Sequence, residues 1–81
     1  MKLIFKNITE RVLQVYIEPS TDIIILNPGD VLELTPKFEN YVNFETHIDE
    51  CEVTIWIPSG QSAVLSINGE KIDSLCEDLI W

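Results

Sequence analysis

The sequence predicts an all-β domain: a compact sandwich or partly open barrel of about seven short antiparallel strands, closed by a short C-terminal helical turn. Three observations predict it. Apolar and polar residues alternate with a period of two through most of the chain, the pattern of strands with one face turned inward. Turn signals built from Pro, Gly and Asn break that alternation at close intervals. No stretch before residue 74 sustains a helical period.

Leu3 and Phe5 share one face of a first strand, with Lys2 and Lys6 on the other. Across residues 11–18, Leu13, Val15 and Ile17 point inward while Gln14, Tyr16 and Glu18 point away, and Glu18-Pro19-Ser20 ends the strand. Ile23 to Leu26 is apolar on both faces, which suits a central strand or one covered on both sides. Asn27-Pro28-Gly29-Asp30 is a turn, because Pro presets φ and Gly accepts a positive φ next to it. Leu32 and Leu34 resume the alternation, and Pro36 closes it.

Residues 41–48 set Val42, Phe44, Thr46 and Ile48 against Tyr41, Asn43, Glu45 and His47, with Asp49-Glu50 as the following turn. Residues 52–57 turn Val53, Ile55 and Ile57 inward and Trp56 outward. Pro58-Ser59-Gly60-Gln61 is another turn, followed by an inward face of Ala63, Leu65 and Ile67. Asn68-Gly69 matches a type I′ hairpin turn, which needs positive φ at both central residues, so residues 63–67 are expected to pair with 70–74. Ser74-Leu75-Cys76-Glu77 fits a capping box ahead of Leu79, Ile80 and Trp81. A helix that short has to dock to persist.

Eighty-one residues supply one modest core, so residues 1–81 are expected to form a single β domain. The longest apolar run, Ile23 to Leu26, falls far short of the ~20 residues of a membrane helix, and the start lacks the apolar stretch of a secretory signal. The expected location is cytoplasmic. Cys51 and Cys76 lack C-x-x-C spacing and are too few for a disulfide framework, so free thiols are expected, with one bridge open as the alternative.

The net charge of −9 is unevenly spread. Residues 1–37 hold five acids and four bases, whereas residues 38–81 hold nine acids and only Lys71 as a base. Such a field repels nucleic-acid phosphates and anionic lipid headgroups and attracts basic protein surfaces. Neither nucleic acid nor membrane is an expected partner.

Catalytic chemistry finds little support in the residues. His47 sits within Glu45-Thr46-His47-Ile48-Asp49-Glu50-Cys51-Glu52, which has the residue types of a cation site. Yet Glu45, His47 and Asp49 would stand roughly 6–7 Å apart along one strand, too far to share an ion without another strand. A solvated acidic strand end is the plainer reading, and no metal or cofactor is expected. Ser59-Gly60-Gln61-Ser62 is a turn rather than a nucleophile elbow. With three scattered glycines there is no phosphate loop. Asn7-Ile8-Thr9 matches a glycosylation sequon but reads as a strand-to-turn segment without a secretory signal. Tyr16, Tyr41 and Trp56 are expected to face outward among acids, where aromatic side chains make binding patches; the alternative is that they lie under the C-terminal tail or a second core face.

The Pro28-Gly29-Asp30 turn after an apolar strand is similar to one in small cupin barrels. One histidine cannot supply the paired-histidine metal motif of that family, so the likeness implies at most a metal-free barrel relative. Val15-Tyr16-Ile17-Glu18-Pro19, Leu26-Asn27-Pro28-Gly29-Asp30, Ile55-Trp56 and Asn68-Gly69 together resemble a turn-and-strand pattern of small bacterial β-sandwich proteins. That resemblance spans most of the chain, implies a β-sandwich of bacterial or phage origin, and brings no activity with it.

The leading functional expectation is a non-enzymatic protein that presents acids and exposed aromatics to a basic protein, as immunity proteins and nucleic-acid mimics do. Its candidate contact residues are Tyr41, Glu45, Asp49, Glu50, Glu52 and Trp56. One alternative is a cupin-like small-molecule or cation-binding module at the barrel mouth near His47. Another is a homo-oligomeric structural protein with Tyr16 and strand 23–26 at the subunit interface.

Overall fold

Period-two alternation becomes two stacked four-stranded sheets in a computed structural model that describes residues 2–37, 44–58 and 61–78. The elements run β1 (Leu3–Lys6), β2 (Leu13–Glu18), β3 (Asp22–Leu26), β4 (Val31–Pro36), β5 (Glu45–Ile48), β6 (Glu52–Trp56), β7 (Ala63–Ile67), β8 (Glu70–Lys71) and α1 (Leu75–Asp78). One sheet has the order β1-β4-β7-β8 and the other β3-β2-β6-β5. The all-β sandwich is thus borne out, with eight short strands among the described residues. Pairing is antiparallel except between β2 and β6, which run parallel from Gln14↔Glu52 to Glu18↔Trp56.

The inward side chains are those the alternation picks out, apart from Ile24 and Leu26, which the all-apolar run does not distinguish from Ile23 and Ile25. Val15, Ile17, Ile24, Leu26 and Ile55 from one sheet meet Leu32, Leu34, Ala63 and Leu65 from the other, all at most 5% exposed. Burying a side chain of this size contributes roughly 1.5–3 kcal/mol, so this contact between sheets is the main stabilising term. Leu3, Phe5, Leu13, Val53 and Ile67 pack around it, half-buried.

The turns follow their residue chemistry. Gly29 and Gly69 hold φ of 88° and 86°, and Asn68 sits at 52°, giving the hairpin its two positive-φ residues. The two turns also clip together. Asn68 Nδ2 donates to Asp30 Oδ1 (3.0 Å), and the Val31 N–H donates to Asn68 Oδ1 (2.9 Å). Asp30 accepts from Asn27 N as well (2.9 Å), and these hydrogen bonds hold its carboxyl below the ordinary value. The hairpin ladder is shorter than the 70–74 expected: Ser66 pairs with Lys71 and Ile67 with Glu70, and a single bond from Ile72 N to Leu65 O carries it on.

Two expectations are corrected. Residues 23–26 do not form a central or doubly covered strand: β3 is an edge strand, with Ile24 and Leu26 buried but Ile23 64% and Ile25 48% exposed. An all-apolar run does not report how many strands flank it. Nor does Ser74 close a capping box. Its hydroxyl lies 3.4 Å from Cys76 Sγ, while the carboxylate of Asp22 on β3 caps α1 through Leu75 N (2.8 Å) and Cys76 N (2.9 Å). A charged acceptor satisfies two free N–H groups at once, more than a hydroxyl offers.

Candidate functional site

β2, β3, β5 and β6 read LQVYIE, DIIIL, ETHI and EVTIW, so their sheet carries four acids and no Lys or Arg within its strands. In the other sheet Lys6 and Lys71 accompany Glu33 and Glu70 in the strands, with Lys2 and Lys37 flanking them. Two of that sheet's lysines are paired, Lys2 with Glu33 at 3.2 Å and Lys71 with Glu77 at 2.8 Å. The Lys71 ammonium holds the Glu77 carboxyl below its ordinary range. Within the strands charge is therefore sorted between sheets, with Arg11 flanking β2 and its guanidinium 3.9 Å from Cys51 Sγ in the β5–β6 turn.

Register decides which side chains share the outer face of the acidic sheet. Trp56 stands between Glu18 on β2 and Glu45 on β5, and Thr54 stands between Tyr16 and His47. Glu52 lies beside Gln14 in the next row. Tyr16 is opposite Ile23 on the neighbouring β3. Directly opposed side chains on one face are within contact range, so the face sets Trp56 between two carboxylates, with Tyr16 and Glu52 in the following rows. Trp56 is 42% exposed and Tyr16 half-buried, its hydroxyl donating to Gln14 Oε1. His47 Nε2 lies 3.0 Å from Glu45 Oε2.

Of the candidate contact residues, Glu45, Glu52 and Trp56 come together on this face. Asp49 and Glu50 form the β5–β6 turn, closed by Asp49 N to Glu52 O (2.9 Å) and Glu50 N to Asp49 Oδ1 (2.8 Å). Tyr41 lies outside the described residues. Sequence reasoning passed over Glu18 as part of the patch; it reaches Trp56 only through the parallel β2–β6 pairing, which no local signal announces. Among the described residues, no three His, Cys, Asp or Glu side chains gather where they could hold one cation. No helix among them is long and apolar enough to cross a membrane.

A second feature lies between the sheets at their β5 end: an apolar cleft of about 360 Å³ lined by Phe5, Leu13, Val15, Leu26, Val53 and Ile48, among others. Ile48 faces the inward side beside Val53 yet is 80% exposed, so the sandwich gapes here.

Asn7 offers no glycan acceptor. It is 1% exposed, with Nδ2 donating to Arg11 O (2.8 Å) and Leu26 O (3.0 Å) and Oδ1 accepting from Thr9 N (3.0 Å) and Thr9 Oγ1 (2.6 Å). Both cysteines are free thiols, Cys51 half-buried and Cys76 fully buried.

Comparison of the chain with protein-family models, with curated proteins and with solved structures finds no match.

Proposed function

We propose that the protein is a non-enzymatic interaction module that binds a basic protein partner through the outer face of the β3-β2-β6-β5 sheet. The observation that carries this reading is the sorting of strand charge by sheet, which gives one face an exposed Trp56 flanked by Glu18 and Glu45, with Glu52 further along the same face and no Lys or Arg in its strands. Carboxylates steer a cationic surface inward and a central aromatic supplies the buried anchor. The partner class is that of immunity proteins and nucleic-acid mimics, in keeping with the bacterial pattern the turns resemble, and the site of action is cytoplasmic.

The test is affinity capture at low ionic strength, followed by calorimetry with each purified basic protein retained. Trp56→Ala should weaken binding about 30-fold, the ~2 kcal/mol typical of an anchor. Glu45→Lys with Glu52→Lys should abolish it and flatten its salt dependence. A retained protein indifferent to both changes, or no retained basic protein at all, would sink the reading.

The apolar cleft favors a second reading, a small-molecule binder of the kind a metal-free barrel relative would be. Its volume lies within the ~300–1,000 Å³ of ligand sites. An environment-sensitive apolar dye should brighten on binding, and Val53→Trp, which fills the cleft, should remove that response.

A further inference from the structure

We infer that the chain forms a two-fold dimer by antiparallel pairing of β3 with β3 of a second copy. This interface uses the β3 edge of the same sheet, beside Tyr16, but it is argued from β3 itself and needs neither Trp56 nor the carboxylates.

Among the described residues, the two open four-stranded sheets have four edges: β1, β8, β3 and β5. Natural sheets blunt their edges with charge, shortness or Pro, because an exposed row of backbone groups recruits another strand. Three of these edges are blunted. β1 carries Lys6, with Lys2 just before it. β8 is two charged residues long. β5 holds Glu45 and His47 and runs into Asp49 and Glu50, so two copies of it would set like charges together. β3 has none of these devices. It reads Asp-Ile-Ile-Ile-Leu, and its only charge, Asp22, is committed to the α1 cap.

The strand is also self-complementary. Antiparallel pairing centered on Ile24 sets Ile23 opposite the partner's Ile25 and Ile25 opposite the partner's Ile23. The two exposed isoleucines of each copy then cover one another on the outer face, with Tyr16 alongside. Ile24 stands opposite its own counterpart on the core side. Opposing β-branched residues suit such cross-strand contact.

A chain of net charge −9 can self-associate only where its acids stay apart. Glu52 and Glu45 lie two and three strands from this edge, roughly 10 and 14 Å at the usual strand spacing. Both distances exceed the Debye length of about 8 Å at physiological salt. Glu18 is nearer, on the adjacent β2, but it lies opposite residue 21, outside the 23–25 contact, and is set apart from its counterpart by three strand spacings across the dimer. The contact is small, and dissociation in the micromolar range is expected.

Sedimentation equilibrium across a concentration series should show twice the 9.3 kDa chain mass at the high end, with amide exchange slowing at residues 23 and 25 over the same range but not at residue 4. Ile23→Lys with Ile25→Lys should give a folded monomer by circular dichroism, as should Ile23→Glu with Ile25→Glu. Mixed together, these two variants should form a heterodimer, because the register places the introduced lysines against the introduced glutamates. Ile4→Lys, on the outer face of β1, should leave the dimer intact. A wild-type chain monomeric at every concentration, concentration-independent exchange at residues 23 and 25, folded variants that fail to pair when mixed, or loss of the dimer in Ile4→Lys would each overturn the inference.

Discussion

Asn7 shows how one buried polar side chain organizes the chain around it. Its amide joins the end of β3 to the segment leading into β2, and its own backbone joins the β3–β4 turn through Asp30 O (3.0 Å) and Gly29 N (2.8 Å). Asn7→Ala would remove two hydrogen bonds donated from a buried amide, to the Arg11 and Leu26 carbonyls, and leave a void in its place, so it should cost about 3 kcal/mol in urea unfolding. Thr9→Ala removes an exposed hydroxyl from the same turn and should cost under about 1 kcal/mol. Equal effects would mean that burial does not set the difference. Cys76 gives a pH-dependent counterpart. Burial chiefly pushes its thiol from 9.0 up to about 11, so the folded protein keeps the proton after the unfolded chain has lost it. The stability this contributes is complete below pH 9 and declines as pH rises toward about 11, at about 1.4 kcal/mol per pH unit. Unfolding at stepped alkaline pH checks this, and Cys76→Ala should remove that part of the slope. A thiol reagent at neutral pH should modify Cys51 well before Cys76.

At the scale of elements, α1 persists because of a residue far from it in sequence. A four-residue helix cannot hold itself, so it depends on Asp22 at its first two N–H groups and on the Cys76 thiol, which donates to Ala63 O at 3.4 Å. Asp22→Ala should cost about 1–2 kcal/mol and raise amide exchange at residues 75 and 76 while β7 stays protected. Asp22→Asn, which keeps one acceptor, should retain part of the effect. Unchanged exchange at 75 and 76 would show the cap to be dispensable. The same element marks the boundary of what the residues reveal. Strand faces were legible because alternation is local: Leu13, Val15 and Ile17 face inward and Trp56 outward, as the period requires. Turns were legible because Gly29, Asn68 and Gly69 need particular backbone angles. The Asp22 cap spans more than fifty residues, and nothing beside Asp22 signals it. The edge position of β3 was hidden likewise, since Ile23 and Ile25 read the same whether covered or bare.

At the scale of the whole molecule, the charge asymmetry seen along the chain turns out to be an asymmetry between sheets. The N-terminal half appears balanced because Lys2 and Lys6 offset its acids, yet Glu18 joins Glu45 and Glu52 in the other layer. Like charges held on one face repel in the folded state and separate on unfolding, so salt should raise thermal stability by screening them. The same salt should weaken binding of a basic partner, giving opposite signs from one cause. Thr54→Lys separates the two contributions. Residue 54 lies at the center of the face, beside Tyr16 and His47, with Glu52 two residues before it on β6 and Glu18 and Glu45 on the diagonals. Diagonal neighbors stand roughly 7–8 Å away, within reach of a lysine at low ionic strength. The substitution should raise the low-salt melting temperature and flatten its rise with salt, the gain fading once the Debye length shrinks to about 8 Å. It should also lower affinity for the basic partner. A melting temperature that ignores salt in the wild type would show that these carboxylates do not feel one another, and the electrostatic basis of the partner proposal would go with it.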